Sequence, residues 1–527
     1  MPGNIKQGTL TFSGFLGMAP AGSSRTNLQF GESYHVASTS SVDTIATIGV
    51  LAPGKAPGTN IDGSSNLSAP INRFIWTSGL APYSAVFAIE RGTKLHLGVA
   101  DGSQWNTGGV VPSGWPTTLT VTGSHTGHTS IVGDDVLYYA SNAYVTYTDS
   151  NDGDVAKVDL SGSATTNWFS TRTGGAVLSA SRPHPIVLGE NGFGYVADGN
   201  AIHKIDFSGS GTVTTSAIDL GAEWTIYDMI PYQGNLWIIA LRTDQNFIPY
   251  DSTLAESIYA IRQAGVFRWN YQSRKSSEFA GFERGTPYIL DSVSRVSNIF
   301  IYDGVPHTIT LGSNFSTQLR RFTGTGFQVI HEEPGDIMPI KGGIGTYFRN
   351  ILWAAKATGD LYTYGRMSLN MPEVFNKIGS TGAASRALFL SDTGDIWASY
   401  GTSSLKKMDG MALAASATTL TKQLPKFSRI TRITVFFQPQ SDTTANNTLT
   451  ISTYKNFSTS AISKTLVATH AGDLARGWVT FNNLGGEDWA GFHAASFKLD
   501  WANTAGVTTS FKPYRIEVEY QVEGQDV

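Results

Sequence analysis

Cysteine is absent from the 527 residues. That one absence excludes disulfides, Cys-ligated zinc, iron–sulfur clusters and a thiol nucleophile. Charge is scarce: Asp, Glu, Lys and Arg make up 15% of the chain, against roughly 25% in an ordinary soluble domain. The balance is −4, so no basic surplus supports binding to nucleic-acid phosphates. No run approaches the roughly 18 apolar residues that a membrane-spanning helix needs. The start, Met1-Pro2-Gly3-Asn4-Ile5-Lys6-Gln7-Gly8, lacks the basic region and apolar run of a secretory signal. No long amphipathic helix is legible either.

What remains is glycine, hydroxyl residues and aromatics. Hydrophobic residues are 41% of the chain, which argues against disorder. Abundant Gly, Ser and Thr beside many Trp, Tyr and Phe read as numerous short strands joined by turns. The expected class is all-β, and the length calls for more than one domain.

Residues 1–70 read as an extended N-terminal arm. The run Ile45-Ala46-Thr47-Ile48-Gly49-Val50-Leu51 is cut at once by Ala52-Pro53-Gly54-Lys55-Ala56-Pro57-Gly58, turn chemistry that prevents a long element. An arm has no core of its own, so Ile45, Ile48, Val50 and Leu51 are expected to pack on another domain or another chain.

Residues 71–425 repeat a unit in which an aromatic-rich apolar strand leads through a small turn to a second strand. Leu352-Trp353-Ala354-Ala355 before Leu361-Tyr362-Thr363-Tyr364 is one copy. Phe87, Tyr138, Tyr195, Trp237, Phe300, Trp353 and Trp397 anchor seven copies, 42 to 63 residues apart. Propeller repeats run at roughly 40–50 residues. The spacing predicts a β-propeller with loop insertions, seven blades favoured and six the alternative. An elongated β-solenoid or a pair of sandwiches is the competing arrangement.

Residues 426–527 change character after a small-residue linker, Ala412–Thr421. Ile433, Val435 and Phe437 share one face, and Arg515-Ile516-Glu517-Val518-Glu519-Tyr520 alternates strictly. Alternation of this kind marks half-buried strands. It predicts an antiparallel, jelly-roll-like β-sandwich with Ile516, Val518 and Tyr520 facing its core.

Motifs for chemistry are weak. His125 and His128 with Asp134 and Asp135 offer metal-ligand types without ligand spacing. His331-Glu332-Glu333-Pro334-Gly335-Asp336 is the densest acidic cluster, but adjacent Glu residues on a strand point to opposite faces. Asp149–Asp154 fails the EF-hand pattern, because Gly153 falls one place early and Leu160 stands where the distal Glu belongs. Asp392-Thr393-Gly394-Asp395-Ile396-Trp397 resembles part of the Asp-box of sialidase propellers, a structural turn in that family. Trp478, Trp489 and Trp501 are candidates for stacking on sugar rings or for core packing. No nucleophile elbow, phosphate loop or His-Glu-x-x-His motif is present. The sequence therefore names no catalytic, metal or cofactor-binding residue and no cofactor.

The arm, the loose propeller, the terminal sandwich and the Val42–Leu51 segment, in a Cys-free chain rich in Gly, Ser, Thr and aromatics, resemble tailed-bacteriophage virion structural proteins. The resemblance implies a non-enzymatic tail or host-attachment component, assembled in the host cytoplasm and located in the virion. Its expected partners are other virion proteins and further copies of itself, with a host-surface glycan as a candidate ligand. Nucleic-acid binding and membrane insertion are not expected. The alternative is a carbohydrate-binding or glycan-degrading propeller protein, a tail spike or a lectin.

Overall fold

The computed structural model describes residues 7–13, 15, 17–18, 35–46, 50–58, 71–80, 83–92, 94–100, 118–120, 131–148, 151–159, 164–181, 183–242, 262–272, 287–366, 373–390, 395–400, 404–440, 447–458, 466–469, 471–482, 484, 487–505 and 509–522. These are almost entirely β, arranged in mostly antiparallel sheets of two to sixteen strands. The one α-helix among them is a short turn of chain, Ala471–Arg476.

From Ile71 to Met411 the chain forms successive antiparallel meanders. They run through strands Ile71–Leu80 to Thr118–Thr120, Ile131–Tyr139 to Ala164–Thr165, and Ile186–Leu188 to Thr212–Asp219. Trp224–Tyr232 to Phe327–Pro334 holds two meanders, joined through the 15-residue strand Tyr288–Tyr302. Ile344–Tyr347 to Val374–Ser380 and Leu388–Leu390 to Ser404–Lys407 complete the series.

Each core cluster here takes residues from two consecutive meanders. Tyr144, Val155 and Trp168 pack against Val196, Ile205 and Val213. Tyr195 and Ile202 meet Trp224 and Trp269. Ile309 and Leu319 meet Trp353 and Phe375. A small sheet cannot bury both its faces alone, so neighbours stack face to face. First strands of neighbouring meanders also touch: Ile71–Leu80 lies against Ile131–Tyr139, Trp224–Tyr232 against Tyr288–Tyr302, and the last in the series, Leu388–Leu390, returns to Ile71–Leu80.

Five of the seven aromatic anchors, Phe87, Tyr195, Trp237, Trp353 and Trp397, lie on the second strand of a meander. Tyr138 and Phe300 lie on a first strand. The uneven anchor spacing therefore mixes two registers as well as loop lengths.

The N-terminal residues are built into the molecule. Gln7–Ser13 pairs along its whole length with Pro513–Val522, from Gln7↔Gln521 to Ser13↔Arg515. Gly17–Met18 bridges His35–Ser40 and Val374–Ser380. His35–Ser40 pairs in turn with Ala414–Thr419, so the stretch read as a linker holds a strand. Lys55–Ala56 joins Gly410–Met411 and Gly379. A Cβ on Gly379 would sit 2.2 Å from the Lys55 carbonyl oxygen, so this backbone crossing requires glycine.

The apolar residues of this segment are buried within their own chain. Ile45 joins the core of the last two meanders. Phe12, Phe15, Val42 and Leu51 join the terminal core. Ile48 lies outside the described residues.

In the terminal region Lys422–Phe437 changes partners along its length. Lys422 and Gln423 pair with Phe492–Ala502, and Ser428–Phe437 pairs with Pro513–Val522. Phe427, at the bend between, has φ 60°. Ile433, Val435, Phe437, Ile516 and Val518 are fully buried in one core, with Tyr520 partly buried against it.

Candidate functional site

The densest buried polar cluster among the described residues lies where first strands meet. Asp135 sits at a β-bulge in Ile131–Tyr139 and Asp228 at a bulge in Trp224–Tyr232. A bulge re-aims its side chain out of the regular alternation. Asp135 Oδ2 accepts the Ile186 N–H of the next sheet at 3.0 Å. Asp228 Oδ2 accepts the Ile299 N–H of the next meander at 3.1 Å, and its Oδ1 accepts the Met229 N–H at 2.8 Å. Ser297, at the bulge of the third such strand, donates to the Pro339 carbonyl at 2.9 Å.

Lys341 reaches into the same place. Its Nζ pairs with Asp135 Oδ2 and lies 2.7 Å from Asp228 Oδ1. All three side chains are nearly or fully buried. The cluster holds two carboxylates on one ammonium, with backbone amides taking further lone pairs. Chemically this is a tie between three sheets, and every carboxylate contact described is structural.

A second contact accompanies it at the rim. Asp135 and Tyr139, Asp228 and Tyr232, and Asn298 and Tyr302 are each four residues apart. Gly343 and Tyr347 keep the spacing without the polar residue. After each Tyr comes a two-residue turn with both φ positive: Ala140-Ser141, Gln233-Gly234, Asp303-Gly304 and Phe348-Arg349. Such turns match the twist of a tight hairpin. Tyr232 Oη donates to the Gly304 carbonyl of the next turn, and Tyr302 Oη donates to the Arg349 carbonyl of the turn after that at 2.9 Å. This spacing was readable in the sequence but hidden by anchoring on the nearest large aromatic.

The residues singled out by sequence fall apart spatially. His125 and His128 lie outside the described residues. Glu332 accepts from Asn314 and Ser316, while Glu333 faces His331 Nε2 at 3.1 Å, as opposite strand faces require. Asp336 pairs with Arg295. Asp154 Oδ1 caps the backbone N–H groups of Val155, Phe169 and Ser170; burial outweighs those bonds and raises its carboxyl above the ordinary range. Of the Asp392–Trp397 segment, Asp395 pairs with Lys407 at 2.8 Å and Trp397 is buried. Trp489 and Trp501 are core residues, whereas Trp478 is 42% exposed.

A polar junction that sequence reasoning missed surrounds Asp198. Its carboxylate accepts from the Ser179 hydroxyl at 2.5 Å and lies 3.9 Å from His203 Nε2 and 3.7 Å from His184 Nδ1. Burial alone would raise its pKa; the nearby His203 imidazole, the hydrogen bonds from Ser179 and the neighbouring His184 outweigh that and hold it below the usual carboxylate range. This is no nucleophile–base–acid relay. The serine bonds the carboxylate directly, and both His184 nitrogens face backbone carbonyls. No group of three or more metal-ligating side chains occurs among the described residues. No helix there is long and apolar enough to cross a membrane.

No family model and no curated protein matches the chain. Among solved structures it is similar to the extracellular domain of a protein described as a hybrid two-component system of B. thetaiotaomicron. Identity is 14%, coverage 76% of this chain and 44% of that one, and TM-score 0.39. The extracellular region of plexin A4 matches at 8% identity, over 67% of this chain and 51% of that one, with TM-score 0.38. A streptogramin B lyase matches at 12% identity, over 52% of this chain and 93% of its own, with TM-score 0.27. The chain spans less than half the length of the two-component-system domain. These distant likenesses carry no activity over to this chain.

Proposed function

We propose that the meanders from Ile71 to Met411 close as a seven-bladed β-propeller, and that the terminal strands form a two-layered β-sandwich joined to it by the N-terminal segment. In this reading the protein is a non-enzymatic structural component of a tailed-phage virion, in the tail or host-attachment apparatus. The return of Leu388–Leu390 to Ile71–Leu80 supports closure. The observation that carries the structural role is the interlocking of the chain. Its first strand is sealed against its last, and intervening N-terminal residues pair with the meanders on one side and the terminal strands on the other. Such a weave ties the meanders and the terminal strands together through backbone pairing, which suits a structural role.

The non-enzymatic part is supported by how the carboxylates are used. Asp135, Asp154, Asp228, Glu332 and Asp336 are committed to backbone amides, hydroxyls or cations. Mass spectrometry of density-purified particles from the producing host tests the assignment. The protein is expected in stoichiometric amount with the particle proteins, and its absence from particles overturns the virion reading. Incubation of the purified chain with bacterial polysaccharides tests the enzymatic alternative. Oligosaccharide release abolished by one Asp or Glu substitution would establish it.

A further inference from the structure

We propose that the outer face of the terminal sheet, centred on Trp478, is a binding site for a neutral saccharide; the inference goes beyond the virion reading and stands without it. Four strands form this face: Gln7–Ser13, Pro513–Val522, Lys422–Phe437 and Trp478–Phe481. Side chains alternate across a strand. The inward set fills the terminal core, and the outward set is read directly from the register. One rung carries Ser13, Arg515, Phe436 and Trp478 side by side. The next carries Thr11, Glu517, Thr434 and Thr480.

The aromatic rung has the chemistry of a pyranose platform. Trp478 is 42% exposed and Tyr514, 6.4 Å from Phe436 between ring centroids, is 36% exposed. Trp478, Phe436 and Tyr514 adjoin one another on this face, and contiguous exposed apolar patches, unlike single scattered residues, mark interaction sites. Cations hold them in place. The Arg515 guanidinium lies 4.0 Å from the Phe436 centroid and that of Arg476 lies 5.2 Å from the Trp478 centroid. A cation over an aromatic face contributes a modest attraction and orients the ring. Beside the aromatics the half-exposed Glu517 carboxylate and Thr480 hydroxyl can exchange hydrogen bonds with sugar hydroxyls, Thr480 being held by the buried Thr434 hydroxyl 3.1 Å away.

Charge selects the ligand class. Arg515 lies 3.3 Å from Glu517, Arg432 pairs with Glu519, and Arg476 lies 3.6 Å from Asp473. Around the aromatic rung Arg515, Arg432 and Arg476 are each matched by an acid, so these cations offer little net field to a phosphate, a nucleic acid or an anionic membrane. An uncharged polyol with apolar C–H faces fits this surface. A second copy of the chain fits less well, since beyond the single aromatic rung the face is threonine and paired charge, short of the broad apolar centre of a stable interface.

Native gels cast with soluble dextran, yeast mannan or galactomannan, and with heparin as an anionic control, test the site on the full chain. At least one neutral polysaccharide is expected to retard the protein. Trp478→Ala should abolish the retardation, Trp478→Phe should retain part of it, and Arg476→Ala should weaken it several-fold. Phe348→Ala, at an exposed aromatic on a meander turn, should leave it unchanged. Because Trp478 is exposed, its variants should melt with the parent. Retardation by heparin alone, by none of the polymers, or equally in Trp478→Ala overturns the proposal. So does Trp478-dependent self-association in sedimentation, which would make the face a contact between copies.

Discussion

The meander region and the terminal region solve opposite problems with the same strand type. In the meanders, charge points inward: Lys341, Asp135 and Asp228 meet in the interior. In the terminal region charge points outward, with Arg432–Glu519 and Arg515–Glu517 on the open face and an apolar core beneath. The reason is how each is joined. Terminal strands are hydrogen-bonded neighbours along much of their length, so backbone fixes their register. Successive meanders meet largely face to face through side chains, with only scattered backbone bonds such as Val213 N–H to the Thr173 carbonyl, and apolar contact is non-directional. Buried polar ties at the bulges supply the direction.

The largest effect tests whether either region stands alone. Deleting residues 1–58 removes a paired strand and the buried Phe12, Phe15, Val42, Ile45 and Leu51. At roughly 1.5–3 kcal/mol for each buried side chain, the loss rivals a whole domain's stability of about 5–15 kcal/mol. The truncated chain is expected to lose cooperative melting, not merely assembly. A soluble truncation that melts like the parent would show that the segment is a detachable arm.

Next comes the terminal core itself. Val518→Asp places an unpaired charge at a fully buried position and should cost several kcal/mol, on the order of 3–5. Glu519→Ala, on the opposite face of the same strand and partly exposed, should cost under about 1 kcal/mol. Equal losses in thermal melts would refute the register. Lys341→Met sharpens the other side of the comparison. It leaves two buried carboxylates without their ammonium, an expected cost of about 3–5 kcal/mol. Arg432→Ala, on the solvated face, should stay within about 1 kcal/mol and shrink further in salt.

The smallest effect is a pH dependence within the meanders. Asp198 has a folded pKa below its ordinary value of 3.8. Its stabilisation is therefore present above that value and is lost as pH falls through the lower, folded pKa. Asp198→Asn should lower stability at neutral pH and flatten the acid limb of a melting-versus-pH curve below about pH 4. An unchanged acid limb would mean that the Ser179 and His203 contacts contribute nothing measurable.

The all-β class, the placement of turns and the inward set Ile433, Val435, Phe437, Ile516 and Val518 were legible in the chain, because alternation at period two is a local property. The repeat was legible only coarsely. Large aromatics marked the meanders, yet Tyr138 and Phe300 stood on a different strand from the other anchors, and the four-residue spacing from Asp135 to Tyr139 and from Asp228 to Tyr232 went unread. A bulge adds one residue and re-aims its side chain, which pattern counting cannot detect. Trp478, Trp489 and Trp501 were indistinguishable as residue types; burial alone separates the exposed one from two core ones.

By itself, then, the sequence determined local conformation: where strands run, where they turn, and which face of a regular strand is apolar. Tertiary structure decided everything that depends on contact between distant residues. It brought Lys341 to Asp135 across 206 positions, laid Gln7–Ser13 along Pro513–Val522, and buried Ile45, Val50 and Leu51 within their own molecule. The physical cause is one of range. Backbone sterics and hydrophobic alternation act between near neighbours in sequence, whereas ion pairing and strand pairing act between neighbours in space.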